Sequence, residues 1–138
     1  MHMRIAAIPL VVGVTSCSPQ PSPRNVQASS PTHGGEVITV QMSNFEFNPD
    51  VIPLKVGLPV RLRLANVSDG GHNFSAPSFF AASRLTLTSS PPNGTVEVSA
   101  HQTVEIALVP QVPGTYSLEC THFLHRTFGM QGKVEVVP

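Results

Sequence analysis

The amino-acid sequence predicts an all-β domain, an antiparallel Greek-key sandwich or barrel of about seven or eight strands. From Val37 onward, apolar and polar residues alternate in short stretches, which is the period of two expected of half-buried strands. Clusters rich in Gly, Pro, Asn and Asp separate these stretches and mark turns. Many short strands with turns between them are typical of β-sandwiches and β-barrels.

Two segments precede the predicted domain and differ from it in composition. Residues 1–17 combine Arg4, an apolar run and small residues that end at Cys17, which predicts an export signal. Its last four residues, VTSC, resemble the lipobox of bacterial lipoproteins, in which the cysteine is acylated; a plain secretory signal cleaved nearby is the alternative. Residues 18–35 are rich in Pro and Ser and predict a flexible tether. We therefore expect an exported protein of the periplasm or cell envelope, with a domain at residues 36–138 and a lipid on Cys17 as its only membrane contact.

The strands of the domain are predicted from their alternation, in chain order. The first two stretches are EVITVQM and FEF, and the second contains Phe45 and Phe47. VRLRLAN, TVEV and TVEIALV follow, while FFAASR in the longest connection predicts a short helical turn. The predicted inward residues of the two longest patterns are Val60, Leu62, Leu64, Val104, Ile106 and Leu108.

The last two predicted strands, TYSLEC and KVEVV, enclose a loop. In the first of them, Tyr116, Leu118 and Cys120 share the inward face. Met130 has the inward parity where the final strand begins, in phase with Val134. Two inward sulfur atoms therefore flank one loop.

Length, charge and cysteine count limit the possible functions. The chain has 138 residues, enough for one ordinary domain with a single core. Eight basic and eight acidic residues make up a charged fraction of only 12%, which leaves no basic face for nucleic acid. We also expect a monomer. If Cys17 carries lipid, Cys120 is the one remaining thiol, and a disulfide inside the domain is excluded.

The loop between the last two strands is rich in metal-binding residue types. It contains Cys120, His122, His125 and Met130, and His72 follows an upstream strand at a turn that fits the same end of the sandwich. Thiolate, imidazole and thioether groups together favour copper over calcium, magnesium or manganese, and two histidines, a cysteine and a distant methionine form the ligand set of blue-copper electron-transfer sites. A catalytic thiol with a histidine as its base and a structural zinc site are the alternatives. A zinc site leaves Met130 unexplained, and no orienting carboxylate marks a catalytic site.

The spacing of these residues resembles that of the cupredoxins, the small blue copper proteins. Cys120, four residues, His125, four residues and Met130, with His72-Asn73 upstream, resemble the family pattern, as do the flanking segments PGTYSLEC and GMQGKVEVV. The resemblance implies one type 1 copper ion, Cu(I) or Cu(II), held by His72, Cys120 and His125 with Met130 as a weak axial ligand. It also implies that the Asn73 side chain bonds to Thr121.

The segment CTHFLH departs from the family pattern. Many relatives have Pro-Gly before the loop histidine, whereas this chain has Phe123-Leu124 and an additional histidine, His122. The resemblance implies His125 as the ligand, because the family loop has two or four residues between the cysteine and the histidine. His122 is then expected to be a solvated or supporting residue.

The resemblance implies a one-electron carrier rather than an enzyme. Redox partners such as c-type cytochromes or a terminal oxidase or reductase are expected to dock on an apolar patch around His125, formed by Phe123, Leu124 and Phe128, with Arg126 biasing partner choice. A periplasmic copper carrier or storage protein is an alternative for which His122 is the one hint. A binding module indifferent to copper is the other alternative.

Overall fold

The computed structural model describes residues 35–86 and 91–138; the predicted export signal, Cys17 and the tether up to residue 34 lie outside the described residues. Ten strands, one short helix and a 3₁₀ turn at Pro92–Gly94 occupy the described part. The elements are β1 (Glu36–Ser43), β2 (Glu46–Asn48), β3 (Val51–Lys55), β4 (Val60–Asn66), β5 (His72–Ser75), α1 (Pro77–Ala81), β6 (Ser83–Leu85), β7 (Thr95–Val98), β8 (Thr103–Pro110), β9 (Gly114–Glu119) and β10 (Gln131–Val137).

The strands form two five-stranded sheets, which confirms the predicted Greek-key sandwich. The first sheet has the order β2-β1-β4-β8-β6 and the second has the order β3-β10-β9-β5-β7. Neighbouring strands are antiparallel except for β1 with β4 and β3 with β10, which are parallel. Crossover connections between the sheets produce these two parallel pairs, which period-two alternation alone does not reveal.

Alternation correctly identified the core face of the long strands. Val60, Leu62 and Leu64 of β4 are buried, whereas its arginines face outward. In β10, Val134 and Val136 are buried in the same phase. The buried side chains of both sheets form one hydrophobic cluster, so the two sheets share a single core.

The structure differs from the predicted strands in three details. There are ten strands rather than seven or eight, because β3, β5 and β6 are not among the predicted stretches. β3 contains a proline, all four residues of β5 are buried and so show no alternation, and β6 has only three residues. Phe45 is not a strand residue but lies in the turn before β2 at φ 65°, while Phe47 is buried as predicted for a core strand. The predicted helical turn is present as α1, which begins at Pro77, a favoured first residue of a helix.

One end of the sandwich carries the residues singled out by the sequence. β4 and β9 end there, and β5 and β10 begin there, since Gln131 of β10 pairs with Glu119 of β9. His72, Cys120 and Met130 therefore emerge from three different strand ends at the same edge of the core. In the part of the chain that the structure describes, no helix is long and apolar enough to cross a membrane.

Candidate metal centre

Three strand ends and one loop position the predicted ligands. His72 is the first residue of β5, Cys120 directly follows β9, and Met130 directly precedes β10. His125 lies in the middle of the loop that joins β9 to β10. His72 thus meets Cys120 and His125, which lie 48 and 53 positions later in the sequence, because the sheet pairs β9 with both β5 and β10.

The donor atoms of three of these residues converge. Nδ1 of His72 lies 3.1 Å from Nδ1 of His125, and Sγ of Cys120 lies 3.4 Å from the same nitrogen of His125. All three donor atoms lie within 4.8 Å of one another. Among the described residues, this is the one group of three or more His, Cys, Asp or Glu side chains arranged to hold a metal ion.

Met130 lies beside this group and is completely buried. Its backbone carbonyl accepts a hydrogen bond from the Cys120 N–H at 3.1 Å, and its N–H donates to the His125 carbonyl at 3.0 Å. These two bonds close the loop and fix the backbone of Met130 against that of the other two residues. Three of the four predicted ligands are therefore linked directly through the main chain.

A buried hydrogen-bond network orients His72. Its Nε2 lies 2.8 Å from Oγ of Ser68, and that hydroxyl also lies 2.8 Å from Oδ1 of Asn66 and 3.1 Å from the Gly70 carbonyl. Nδ2 of Asn66 faces three carbonyl groups, so its Oδ1 is the acceptor for Ser68. With two acceptors for the Ser68 hydroxyl proton, the network favours protonation of His72 at Nε2, which leaves the Nδ1 lone pair facing His125 and Cys120.

Both imidazoles are held in the neutral form that metal binding needs. Burial lowers the pKa of His72 below its usual value, and the neighbouring His125 and His122 lower it further. Burial also lowers the pKa of His125, with a contribution from His122. Protons therefore compete little for these nitrogens near neutral pH, and their lone pairs are available to a metal ion.

Asn73 ties the strand that carries His72 to the loop that carries Cys120. Its Nδ2 donates to Oγ1 of Thr121 at 2.8 Å, and its Oδ1 accepts the Thr121 N–H at 2.8 Å. The pairing of Asn73 with Thr121 that the family resemblance implied is thus present. It fixes the two residues that directly follow the two buried donors, His72 and Cys120.

The donor set fits a single copper ion. One thiol, two imidazole nitrogens and a thioether offer the soft and borderline ligands that copper prefers, and three of the four residues are buried. Hard cations such as magnesium require oxygen ligands, and none of the four residues offers one from its side chain.

The sequence matches the family described as a cupredoxin-like domain over residues 6–136, a match that begins within the predicted export signal. The chain belongs to the cupredoxin family. Solved cupredoxin structures share its fold, although no curated protein sequence matches the chain.

Three solved structures illustrate the likeness in fold. Auracyanin B is 20% identical with a TM-score of 0.58, and the alignment covers 76% of this chain and 97% of auracyanin B. Reduced auracyanin from the photosynthetic bacterium Roseiflexus castenholzii is 17% identical with a TM-score of 0.58, over 76% of this chain and 99% of that protein. The multicopper oxidase McoA from Aquifex aeolicus is 17% identical with a TM-score of 0.59, over 77% of this chain but only 30% of the oxidase. At these identities the likeness concerns the fold alone.

The loop of this cupredoxin contains a strained residue where many relatives have glycine. Leu124 has φ 63°, the left-handed region that costs a residue with a side chain about 1–2 kcal/mol. The turn is held by hydrogen bonds from the His125 N–H to the His122 carbonyl and from the Phe128 N–H to the Leu124 carbonyl. A leucine side chain exposed to solvent thus occupies a backbone conformation that glycine adopts without strain.

His122, the extra histidine of this cupredoxin, lies at the rim of the centre. Its ring centroid is 5.5 Å from that of His125, but its Nε2 donates to Oε2 of Glu97 at 2.9 Å. The structure brings His122 near the donor group without including it, and its role as a supporting residue stays a prediction.

Exposed apolar side chains surround His125 and form what we call the apolar patch. Phe45 packs its ring against His125 with centroids 5.3 Å apart, and it also contacts Phe128 at 5.1 Å. Phe123 is 87% exposed, more than any other large apolar residue in the described part of the chain. The patch consists of Phe45, Phe123, Leu124 and Phe128. Arg126 lies beside it and forms an ion pair with Glu119 at 2.9 Å.

Sequence reasoning missed three residues of this region: Phe45, Ser68 and Glu97. Phe45 was assigned to a strand, and its left-handed conformation places it on His125 instead. Ser68 begins the sequence SDGG, four residues before His72. This sequence predicts a turn, but it does not reveal the hydrogen bond between Ser68 and His72. Glu97 reaches the site only through the pairing of β5 with β7, which no local signal in the sequence indicates.

Proposed function

We propose that this cupredoxin is a one-electron carrier with a type 1 copper centre, held by His72, Cys120 and His125 with Met130 as the weak fourth donor. The observation that carries the proposal is the convergence of three donor atoms within 4.8 Å beside a buried methionine. Copper supplies the electron-transfer chemistry by changing between Cu(II) and Cu(I).

The protein's contribution is a site that changes little between the two oxidation states. His72, Cys120 and Met130 are at most 1% exposed, so water is kept from the donors. The Ser68 network orients one imidazole, and the backbone bonds of Met130 hold the other ligands in place. A prearranged, dry site of this kind needs little rearrangement on electron transfer.

The electron leaves through His125 and the apolar patch. His125 is the one proposed ligand that is partly exposed, and Arg126, which lies beside the patch around it, is paired with Glu119. A small, mainly apolar surface suits brief contacts rather than a lasting complex. Partners are redox proteins such as c-type cytochromes or a terminal oxidase or reductase that meet this surface in the cell envelope, and the chain is anchored there by lipid on Cys17.

Enzymatic activity is not part of the proposal. A catalytic cysteine needs access to its substrate, and the Cys120 thiol is completely buried although an imidazole lies 3.4 Å away. Multicopper oxidases share the fold, but this chain corresponds to 30% of the McoA chain. The described residues contain one cluster that suits a metal, rather than the several that oxidase chemistry requires.

A copper carrier or storage protein is the second candidate, because a further histidine lies at the rim of the site. The partly exposed His122 ring lies 5.5 Å from that of His125, close enough to receive a metal ion on its way to another protein. Its bond to Glu97 and the buried ligand set favour retention of the metal over its release.

Two measurements on the copper-loaded full chain separate the candidates. Voltammetry of an electron carrier gives a reversible one-electron wave, and the copper content is unchanged after many cycles in the presence of a Cu(I) chelator. A metal carrier loses its copper to the chelator during these cycles. Loss of copper on each reduction contradicts electron transfer as the function.

The docking surface is tested by the rate of electron self-exchange between oxidised and reduced copies. Phe128→Ala is expected to slow this exchange on the order of tenfold, because it removes an exposed aromatic side chain from the patch beside His125. Val112→Ala is the matched control, since Val112 is similarly exposed but lies in the turn before β9, at the other end of that strand. Equal rates in both variants argue against docking at the patch.

A further inference from the structure

The Glu97 carboxylate bridges two parts of the metal centre, strand β5 and the loop that follows β9. Glu97 lies in β7, an edge strand, directly opposite Asn73 of β5. Its Oε1 accepts a hydrogen bond from Nδ2 of Asn73 at 2.7 Å, and its Oε2 accepts one from Nε2 of His122 at 2.9 Å. One side chain therefore contacts both the strand that begins with His72 and the loop that follows Cys120.

The contact with Asn73 sets the orientation of an amide that holds the loop. The two hydrogens of Nδ2 point to Oε1 of Glu97 and Oγ1 of Thr121, so the amide oxygen faces the Thr121 N–H. A rotated amide would place its oxygen against the carboxylate, which is repulsive. Glu97 thereby favours the one orientation in which Asn73 makes both bonds to Thr121.

The contact with His122 extends the support to the loop ligand. His122 is two residues after Cys120, and its carbonyl accepts the His125 N–H at 3.1 Å. Holding the His122 side chain from outside the loop thus restrains the backbone group that His125 bonds to. Both residues that follow Cys120, Thr121 and His122, are fixed to the edge of the second sheet.

A carboxylate suits this position better than a neutral side chain. Both partners are donors, so an acceptor with two oxygens satisfies them at once, and charge-assisted hydrogen bonds are stronger than neutral ones. Partial burial alone would raise the pKa of Glu97, but the hydrogen bonds from Asn73 and His122 lower it below its usual value. The side chain is therefore ionised at neutral pH.

We propose that Glu97 is a positioning residue of the copper centre, which holds the ligand loop to the edge strand β7 through Asn73 and His122. This inference rests on the proposed function and gives His122 its role as a support rather than a ligand. The Glu97 side chain is 65% exposed, so solvent weakens its contribution to folding. We therefore expect the loss of Glu97 to make the loop more mobile and to speed the loss of copper.

The first test is the rate at which the copper-loaded full chain loses its metal to excess Cu(I) chelator. Glu97→Ala is expected to speed the loss about tenfold, the lower end of the effect of removing a residue that supports metal ligands. Glu97→Gln, which keeps one acceptor oxygen but places an amide N–H against a donor, is expected to fall between Glu97→Ala and the unaltered chain. Glu105→Ala is the matched control, because Glu105 is an exposed strand carboxylate paired with Arg61 and Arg63, away from the loop.

The second test uses the copper-free protein and reads the loop directly. Hydrogen exchange of the Thr121 amide, which donates to Asn73, is expected to be several-fold faster in Glu97→Ala and unchanged in Glu105→Ala. Copper loss and amide exchange that are equal in Glu97→Ala and Glu105→Ala overturn the inference and leave the proposed function standing. A full chain that takes up no copper at Cys120 overturns the proposed function, and with it the placement of Glu97 in a copper centre, whatever the exchange rates.

Discussion

The two regions that supply the proposed ligands are stabilised in different ways. His72 begins a core strand, is 1% exposed and has its second ring nitrogen bonded to Ser68, which is itself buried. The loop at residues 121–129 is mostly exposed, contains Leu124 in the left-handed region and is held by main-chain turns and by side chains from neighbouring strands. One region is part of the core, whereas the other is a surface loop supported from outside.

This difference separates two tasks of a redox site. The buried region fixes an imidazole before the metal arrives, so its residues affect folding and metal affinity together. The loop presents His125 and apolar side chains to solvent. Substitutions of most loop residues are therefore expected to change partner docking or metal binding without changing the packing of the core. Substitutions in the two regions are therefore expected to have different signatures.

The largest effect is expected from the thiol shared by the two regions. Cys120→Ser removes the thiolate and is expected to abolish the intense blue thiolate-to-copper band, because a hydroxyl is a poor soft donor. His125→Ala is expected to disturb the band severely, while His122→Ala leaves it largely intact, since His122 is bonded to Glu97. Visible absorption spectra of the three copper-treated variants check this order. A colourless His122→Ala beside a normal His125→Ala contradicts the ligand assignment.

The next effect tests the buried region alone. Ser68→Ala leaves the buried Nε2–H of His72 without its partner, so we expect a loss of about 1–3 kcal/mol in the free energy of unfolding. Copper affinity is expected to fall by about 10–100-fold, because the imidazole loses its orienting bond. Chemical denaturation and competition with a copper chelator measure the two quantities.

Ser75→Ala is the matched control for this variant. Ser75 lies in the same strand as His72 and bonds to Thr95, away from the donor atoms. Its loss is expected to cost about 1 kcal/mol of stability with no change in copper affinity. Equal copper affinities in the two serine variants would argue against a role of Ser68 in orienting His72.

Met130→Leu tests the weak fourth donor with little disturbance of the core. The two side chains have similar volume, so the cost in folding is expected to stay below about 1.5 kcal/mol although the site is completely buried. Loss of the thioether is expected to raise the reduction potential, because a fourth donor would stabilise the more highly charged Cu(II). Voltammetry checks the shift, and an unchanged potential counts against axial ligation.

The smallest effect concerns the strain in the loop. Leu124→Gly and Leu124→Ala both remove the exposed side chain, but only glycine is free of the penalty at φ 63°. We therefore expect the glycine variant to be more stable than the alanine variant by roughly 1 kcal/mol after allowance for its more flexible unfolded chain. Thermal unfolding of the copper-free variants measures the difference. A more stable alanine variant would show that the left-handed turn is not strained.

Much of the fold and the ligand group was predictable from local patterns. Alternation placed Leu62, Leu118 and Val134 in the core because a half-buried strand repeats every two residues. Parity also pointed Cys120 and Met130 inward, and the resemblance to the cupredoxin pattern related them to His125 and to the upstream His72. The face of a strand and the spacing of residues along it can be recognised in short stretches of sequence, without knowledge of which strands pair.

The supporting residues were not predictable because they depend on pairing between distant strands. Glu97 faces Asn73 only because β7 pairs with β5, and Phe45 reaches His125 only because the turn before β2 adopts φ 65°. The parallel pairing of β1 with β4 likewise follows from the crossover between sheets. Alternation gives the face of a strand but not its neighbours, so side-chain contacts between strands remained unknown.

The most direct test of the central claim is the visible spectrum of the purified chain during titration with Cu(II), followed by reduction with ascorbate and reoxidation in air. The proposed centre predicts an intense blue thiolate-to-copper band that is complete at one equivalent, bleaches on reduction and returns on reoxidation. Copper binding without this band, or no binding at all, would show that Cys120 is not a copper ligand and would contradict the proposed electron carrier.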